Sequence, residues 1–210
     1  MERSWAGLLA AAALLLALPL AGSSSGGDLA WVTCGSTIKL AHEGSKFRLH
    51  SHEVAYSRGS RQQSVTAFPD SDDANSYWAV HGTKDEPCAP GSPVKKQQRL
   101  RLQHVATRRW LHSHLFQSPL SANQEVSAFG GDSQSDGGDV TLRHVDTGAF
   151  LHSLRHATFG HPIAGQHEVC AIKTKGPDSQ WFAAEGVYLP RADKKAKAAG
   201  GGDASERDEL

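Results

Sequence analysis

Three cysteines and one methionine are all the sulfur in these 210 residues. Three cysteines close at most one internal disulfide. No Cys-x-x-Cys is present, which excludes thioredoxin-type dithiol chemistry. No Asn-x-Ser/Thr triplet occurs, so there is no acceptor for N-linked glycan. Neither sign of charge is in excess: Lys+Arg and Asp+Glu both number 22. No bulk field therefore favours nucleic acid or anionic lipid. A glycine-rich phosphate loop is also missing, and the one glycine-dense run, "GGDSQSDGGD" at 130–139, is acidic and repels phosphate. After residue 20 no apolar run is long enough to span a bilayer. What is abundant is glycine, at 21 residues, in a chain of moderate hydrophobicity, a composition that suits a loop-rich β protein.

The two ends read as addresses. Arg3 is followed by an apolar run from Ala6 to Leu20, then by Ala21-Gly22-Ser23. Residues 1–23 are expected to be a secretory signal peptide, with Ala21 and Ser23 fitting the small-x-small cleavage rule. At the other end Arg207, Asp208, Glu209 and Leu210 resemble the lumenal retention tetrapeptide, with Arg in the place of Lys or His. The stretch 190–210 has no apolar periodicity and is expected to be a disordered tail that presents it. Together the ends predict the lumen of the endoplasmic reticulum, with no membrane insertion.

Between them one phrase is written three times. "IKLAHEGSKFRLHSH" (38–52), "LRLQHVATRRWLHSH" (100–114) and "VTLRHVDTGAFLHSL" (140–154) align without a gap. Each is followed by a second phrase: "QQSVTAF" (62–68), "NQEVSAF" (123–129) and "QHEVCAI" (166–172). This is an internal repeat. Apolar and polar residues alternate over short runs separated by Gly, Ser, Asp and Pro, the pattern of strands and hairpins. With "SYWAVHG" (76–82) as a fourth strand, three units of four strands predict an all-β closed barrel, the β-trefoil.

The intervals are unequal. Leu49 to Leu111 is 62 residues and Leu111 to Leu151 is 40. The shortfall is enough for one strand and its loop, so the fourth strand of repeat 2 is expected to be missing before repeat 3. A splice form or gene-model error is favoured over a naturally tight loop. The expected boundaries are repeat 1 at 28–85, repeat 2 at 91–138 and repeat 3 at 139–189. Cys34 begins the first repeat and Cys88 lies in the loop that closes it, so these two are expected to pair in an oxidising lumen. Cys170, in an alternating apolar run, is expected to be buried and free.

The phrases "KFRLHSHEVAY", "GSRQQSVTAF", "DDANSYW", "SPLSANQEVSAFG" and "GQHEVCAI" resemble the MIR motif, and the chain from about Asp28 to Pro190 resembles the stromal cell-derived factor 2 family. "WFAAEGVYLP" resembles its plant-type branch. The resemblance implies a β-trefoil of three MIR repeats and an accessory role in endoplasmic reticulum chaperone assemblies. The partners it implies are a lumenal DnaJ-type cochaperone and the heat-shock chaperone BiP, serving unfolded secretory clients in folding and quality control.

Chemistry has little support in the residues. His50 and His52 share a strand face, as do His112 and His114, but Leu154 replaces the second histidine in repeat 3 and breaks any three-fold metal site. Ser51, Ser113 and Ser153 each follow a histidine directly, and strand neighbours point to opposite faces, so they form no nucleophile–base pair. The expectation is a non-catalytic protein without metal or cofactor that acts by contact. Its binding surface is expected in the loops Tyr56–Arg61, Phe116–Ala122 and Arg155–Gly165, with Tyr56 and Phe116 as exposed contacts. A lectin-like, mannose-related glycan-binding module is the alternative, weakened by the lack of the Gln-x-Trp repeat of ricin-type trefoils.

Overall fold

A computed structural model describes residues 31–130, 143–144 and 146–192. Ten strands are present: β1 (Thr37–His42), β2 (Arg48–Ala55), β3 (Gln63–Phe68), β4 (Trp78–Gly82), β5 (Leu100–His104), β6 (Trp110–Gln117), β7 (Gln124–Phe129), β8 (Phe150–Thr158), β9 (His167–Ile172) and β10 (Trp181–Val187). Two single turns of 3-10 helix lie at Ala74–Ser76 and Pro177–Ser179. The all-β class expected from the sequence is what is observed.

The repeat is explicit in the pairing. β2 pairs with β3, β6 with β7 and β8 with β9, all antiparallel. The inner strands of these hairpins then pair with one another, β3 with β7, β3 with β9 and β7 with β9, which closes a triangle. A second set joins successive repeats: β4 pairs with β5, and β10 with β1. The corresponding junction between repeats 2 and 3, where a strand was expected to be missing, falls on residues 131–142 and lies outside the described residues. So do the expected signal peptide and the retention tetrapeptide. Of the expected first strand of repeat 3, only Arg143 and His144 are described, and Arg143 bridges Phe150.

Each repeat enters its first hairpin through the same turn, and three equivalent residues there have left-handed backbone: Lys46 (φ 61°), Arg108 (φ 60°) and Gly148 (φ 68°). The histidine before each turn caps it. His42 Nδ1 lies 2.9 Å from Ser45 Oγ, His104 Nδ1 2.8 Å from Thr107 Oγ1, and His144 Nδ1 2.9 Å from Thr147 Oγ1. The three recurrent histidines therefore hold turns.

Alternating side chains from all three repeats meet in one core, with Leu49, Leu111 and Leu151 at equivalent positions beside Trp78 and Trp181. Trp78 donates its indole N–H to the Leu49 carbonyl at 2.9 Å, and Trp181 donates to the Leu151 carbonyl at 3.2 Å. The repeats are also laced in a ring. Ser127 donates to Gln62, Asn123 donates to Cys170 Sγ at 3.5 Å, and Thr66 donates to Gln166, so each repeat holds the next and the third holds the first. A disulfide joins Cys34 to Cys88, with their Cα atoms 6.1 Å apart, and Cys170 is buried as a free thiol. Burial, ahead of the neighbouring Glu168, pushes that thiol up to about 12, so it stays protonated and inert.

Candidate functional site

The three hairpins of the triangle share a defect. Their register slips between Ser51 and Ala55 in β2, between Ser113 and Gln117 in β6, and between Leu154 and Thr158 in β8. The residues inside each slip have no ladder partner and form a bulge, which aims side chains outward. In repeat 1 the bulge holds His52, Glu53 and Val54; in repeat 3 it holds Arg155, His156 and Ala157. Repeat 2 alone places two large apolar side chains there, Leu115 and Phe116. They are 85% and 54% exposed, and Leu120, in the loop that follows, is 45% exposed. Three large apolar groups open to water, at the end of β6 and in the loop after it, line one cleft, and such patches mark interaction surfaces.

The patch lines a cleft of about 470 Å³ whose far wall is Arg58 and Gly59 from the β2–β3 loop of repeat 1. Arg58 is the only charged residue lining it. Both walls are pinned from below by fully buried carboxylates at equivalent positions of β7 and β9. Glu125 accepts the Ser60 backbone N–H at 3.1 Å, the Ser60 hydroxyl, and the His114 Nε2–H at 2.9 Å. Glu168 accepts the backbone N–H groups of Leu120 at 2.7 Å and Ser121 at 3.1 Å. Gly59 has φ +66°, and a Cβ there would stand 2.0 Å from Glu125 Oε2, so only glycine lets the loop close over the carboxylate.

Phe116 is exposed, as expected, but it lies in β6, which runs to Gln117 and takes the first part of the expected 116–122 loop. Tyr56 is buried instead. It is 5% exposed, and its hydroxyl lies 2.7 Å from the Val65 carbonyl and 3.0 Å from that of Val126, in repeat 2. Burial pushes its phenol far above the usual range. Tyr56 is a buried tie between two repeats beneath the loop; the expectation of an exposed contact is corrected. β8 also runs to Thr158 and claims the first part of the expected 155–165 loop. Glu125 and Glu168, which shape the cleft, were missed by sequence reasoning. Their signal was a glutamate at one repeat position in two of three units.

The histidine pairs turn their nitrogens on each other. His50 Nδ1 is 2.7 Å from Asp73 Oδ2, and His50 Nε2 is 2.6 Å from His52 Nδ1. In repeat 2, His112 Nε2 is 3.1 Å from His114 Nδ1, which leaves His114 Nε2 to serve Glu125. Each chain ends on a carboxylate, which orders the protons along it and fills ring positions a metal would need. No group of three or more metal-ligating side chains occurs among the described residues. Ser64 lies 3.5 Å from His52 Nε2 but is fully buried, with its proton committed to the Val54 carbonyl at 2.7 Å. Ser51 and Ser113 are spent in the same way on the Ser64 and Glu125 carbonyls.

These networks set an acid sensitivity. Burial lowers the pKa of eight histidines, and His52 and His112 fall to about 4. A histidine with a depressed folded pKa keeps its neutral form in the fold while the unfolded chain takes up protons below about 6.5. Stability is then complete above that pH and falls steadily as pH drops from about 6.5 towards 4. Asp73 adds nothing in that window. Burial opposes its ionisation, but hydrogen bonds from Ser76 and His50 outweigh this and hold it below the usual carboxylate range. Thermal melting is expected to be level from about pH 7.5 to about 6.5 and to decline from there towards about pH 4; a profile flat over the whole range refutes this account.

A MIR domain model matches residues 44–141. The stromal cell-derived factor 2-like protein of Arabidopsis thaliana is 47% identical over 186 residues, covering 80% of this chain and 85% of that one. The chain belongs to the stromal cell-derived factor 2 family. The murine stromal cell-derived factor 2-like protein 1 is 44% identical over 198 residues, covering 86% of this chain and 89% of its own. The crystal structure of the Arabidopsis SDF2-like protein superposes with a TM-score of 0.72 at 46% identity, over 77% of this chain and 99% of that one. A protein O-mannosyltransferase complex of S. cerevisiae bound to the sugar donor contains a similar region, with a TM-score of 0.65 at 26% identity. That match covers 75% of this chain and 26% of the mannosyltransferase chain. The family relatives are not named as enzymes, so the MIR unit occurs both in such proteins and within a transferase.

Proposed function

We propose that this family member is a non-catalytic protein-binding module of the endoplasmic reticulum lumen, an accessory subunit working with a DnaJ-type cochaperone and BiP on unfolded secretory clients. The observation that carries the reading is the apolar bulge of repeat 2. Leu115 and Phe116 do no packing work that the other two repeats need at the same position, and their exposure costs solubility unless a partner covers them. The buried carboxylates beneath the cleft hold its walls in place before any partner arrives, which lowers the ordering cost of binding. The hydroxyls of Ser51, Ser64 and Ser113, on the strands that carry or pair with the histidine pairs, are committed to backbone carbonyls, which supports contact over catalysis. The terminal sequences supply the address.

The test is cellular. Expressed with both ends intact, the protein is expected to stay inside the cell and to co-purify with a DnaJ-type cochaperone and BiP. Deleting Arg207–Leu210 is expected to release most of it into the medium. Retention without the tetrapeptide sinks the address. Capture of a mannose-containing glycan in place of both chaperones sinks the module reading and puts a lectin in its stead.

A further inference from the structure

The chemistry of the cleft says more than that something binds there. Its large apolar lining side chains are Leu115, Phe116 and Leu120, with Gln117 and Ser118 beside them, and its one charge is Arg58 from the β2–β3 loop. No carboxylate lines it: Glu125 lies directly under Gly59, but its oxygens are already taken by Ser60 and His114. Arg58 thus faces the cleft as an exposed cation with no ion-pair partner among the described residues. The bulge leaves His114, Leu115 and Phe116 without ladder partners on β7, so an extended chain meets irregular backbone and protruding side chains rather than a finished sheet. A volume of about 470 Å³ admits a few side chains, not a folded domain.

We propose that this cleft takes an extended acidic–apolar peptide segment of a partner protein, with a large aliphatic or aromatic side chain seated among Leu115, Phe116 and Leu120 and a neighbouring carboxylate paired with Arg58. The inference rests on the protein-binding reading above and names the ligand class of that site. An apolar anchor supplies most of the affinity at such a contact, and a charge at the rim supplies selectivity and rate of encounter. A basic segment of equal hydrophobicity meets Arg58 as a like charge. The salt dependence follows, because a rim pair is screened within about 10 Å at 0.1 M salt.

The experiment uses the full-length protein expressed through the secretory pathway and three fluorescein-labelled peptides: Phe and Leu flanked by Asp, the same with Lys for Asp, and the same with Ser for Phe and Leu. The acidic–apolar peptide is expected to bind more tightly than either control, and more weakly at high salt. Phe116→Ala is expected to weaken it by at least about tenfold, the scale of an anchor residue. Arg58→Glu is expected to invert the preference in favour of the lysine peptide. Both side chains are exposed, so unchanged melting temperatures will show that the fold is retained. Equal binding of the acidic and basic peptides, or indifference to Phe116→Ala, overturns the proposal. So does concentration-dependent self-association that Phe116→Ala abolishes, which gives the surface to a second copy. Capture of a DnaJ-type cochaperone from lumenal extract separates the two readings. Capture unaffected by Phe116→Ala and Arg58→Glu, with no peptide binding, removes the peptide proposal and leaves the chaperone reading. Peptide binding without cochaperone capture does the reverse.

Discussion

Replacing Trp78 by alanine is expected to destabilise the fold by about 3–5 kcal/mol. No side chain is better placed to report on the core. It is fully buried, lies in β4 between β1 and β5, and packs at a tilt on the His104 ring 5.0 Å away. Its removal leaves a cavity where two repeats meet and strips the Leu49 carbonyl of its indole donor. A buried acceptor left without a partner costs about 1–3 kcal/mol. Trp78→Phe keeps most of the volume and loses the donor, so it should cost less than the alanine variant while still exceeding a surface substitution. Urea denaturation of the three proteins checks the order. The loss is a large share of a total that for natural domains is only about 5–15 kcal/mol. Equal midpoints for wild type and Trp78→Ala contradict the packing described.

Removing the disulfide with Cys34→Ser and Cys88→Ser is expected to cost about 2–4 kcal/mol. The bond spans 54 residues, and closing a loop of that length restricts the unfolded chain by about 4 kcal/mol in the chain-entropy account. The full amount is not expected, because the same ends are strapped together a second time. Cys34 N–H donates to the Ser92 carbonyl at 2.9 Å, Gly91 N–H donates to the Cys34 carbonyl at 2.9 Å, and Thr33 bridges Pro93. Thermal unfolding with and without the bond gives the number. A loss under about 0.5 kcal/mol, the scale of a neutral surface change, would mean that the hydrogen-bonded strap alone holds the first repeat closed. Trp78 lies inside the same loop, so the two changes are not expected to add independently.

Much of the secondary structure was legible because a strand writes its two faces in alternation. "TIKLAH" and "LRLQH" alternate visibly, and they are β1 and β5. That alternation did not carry over into burial: β1 and β5 are buried beyond their first residue, with no wet face, and the second phrases are buried likewise. β3, β7 and β9 are buried over nearly their whole length, on both faces, because each pairs with the other two around the triangle. A glutamate in such a strand looks solvated from sequence, whereas Glu125 and Glu168 are fully buried. Their charge is tolerated because loops from the preceding repeat supply donors. The paired histidines suggested a metal face by their spacing. Only the positions of Asp73 and Glu125, contributed by other segments, show that His50 Nδ1 and His114 Nε2 serve hydrogen bonds, while His112 Nδ1 is buried without one.

Sequence by itself determined the three-fold repeat, the all-β class, the hairpins, the likeness to the stromal cell-derived factor 2 family, and Phe116 as an exposed candidate. All of these depend on local periodicity or on identity between segments, and both are written in residue order. Tertiary structure alone decided that Tyr56 is buried, that the bulge of repeat 2 differs in kind from those of repeats 1 and 3, and that Arg58 faces Phe116 across a cleft. Tyr56 and Arg58 sit in one polar stretch, "AYSRGSR", with nothing local to tell an inward side chain from an outward one. The Tyr56 hydroxyl is drawn in by the carbonyls of Val65 and Val126, and Val126 is seventy positions away along the chain. Burial is settled by such distant partners, because a polar group enters a core only where another segment supplies its hydrogen bond.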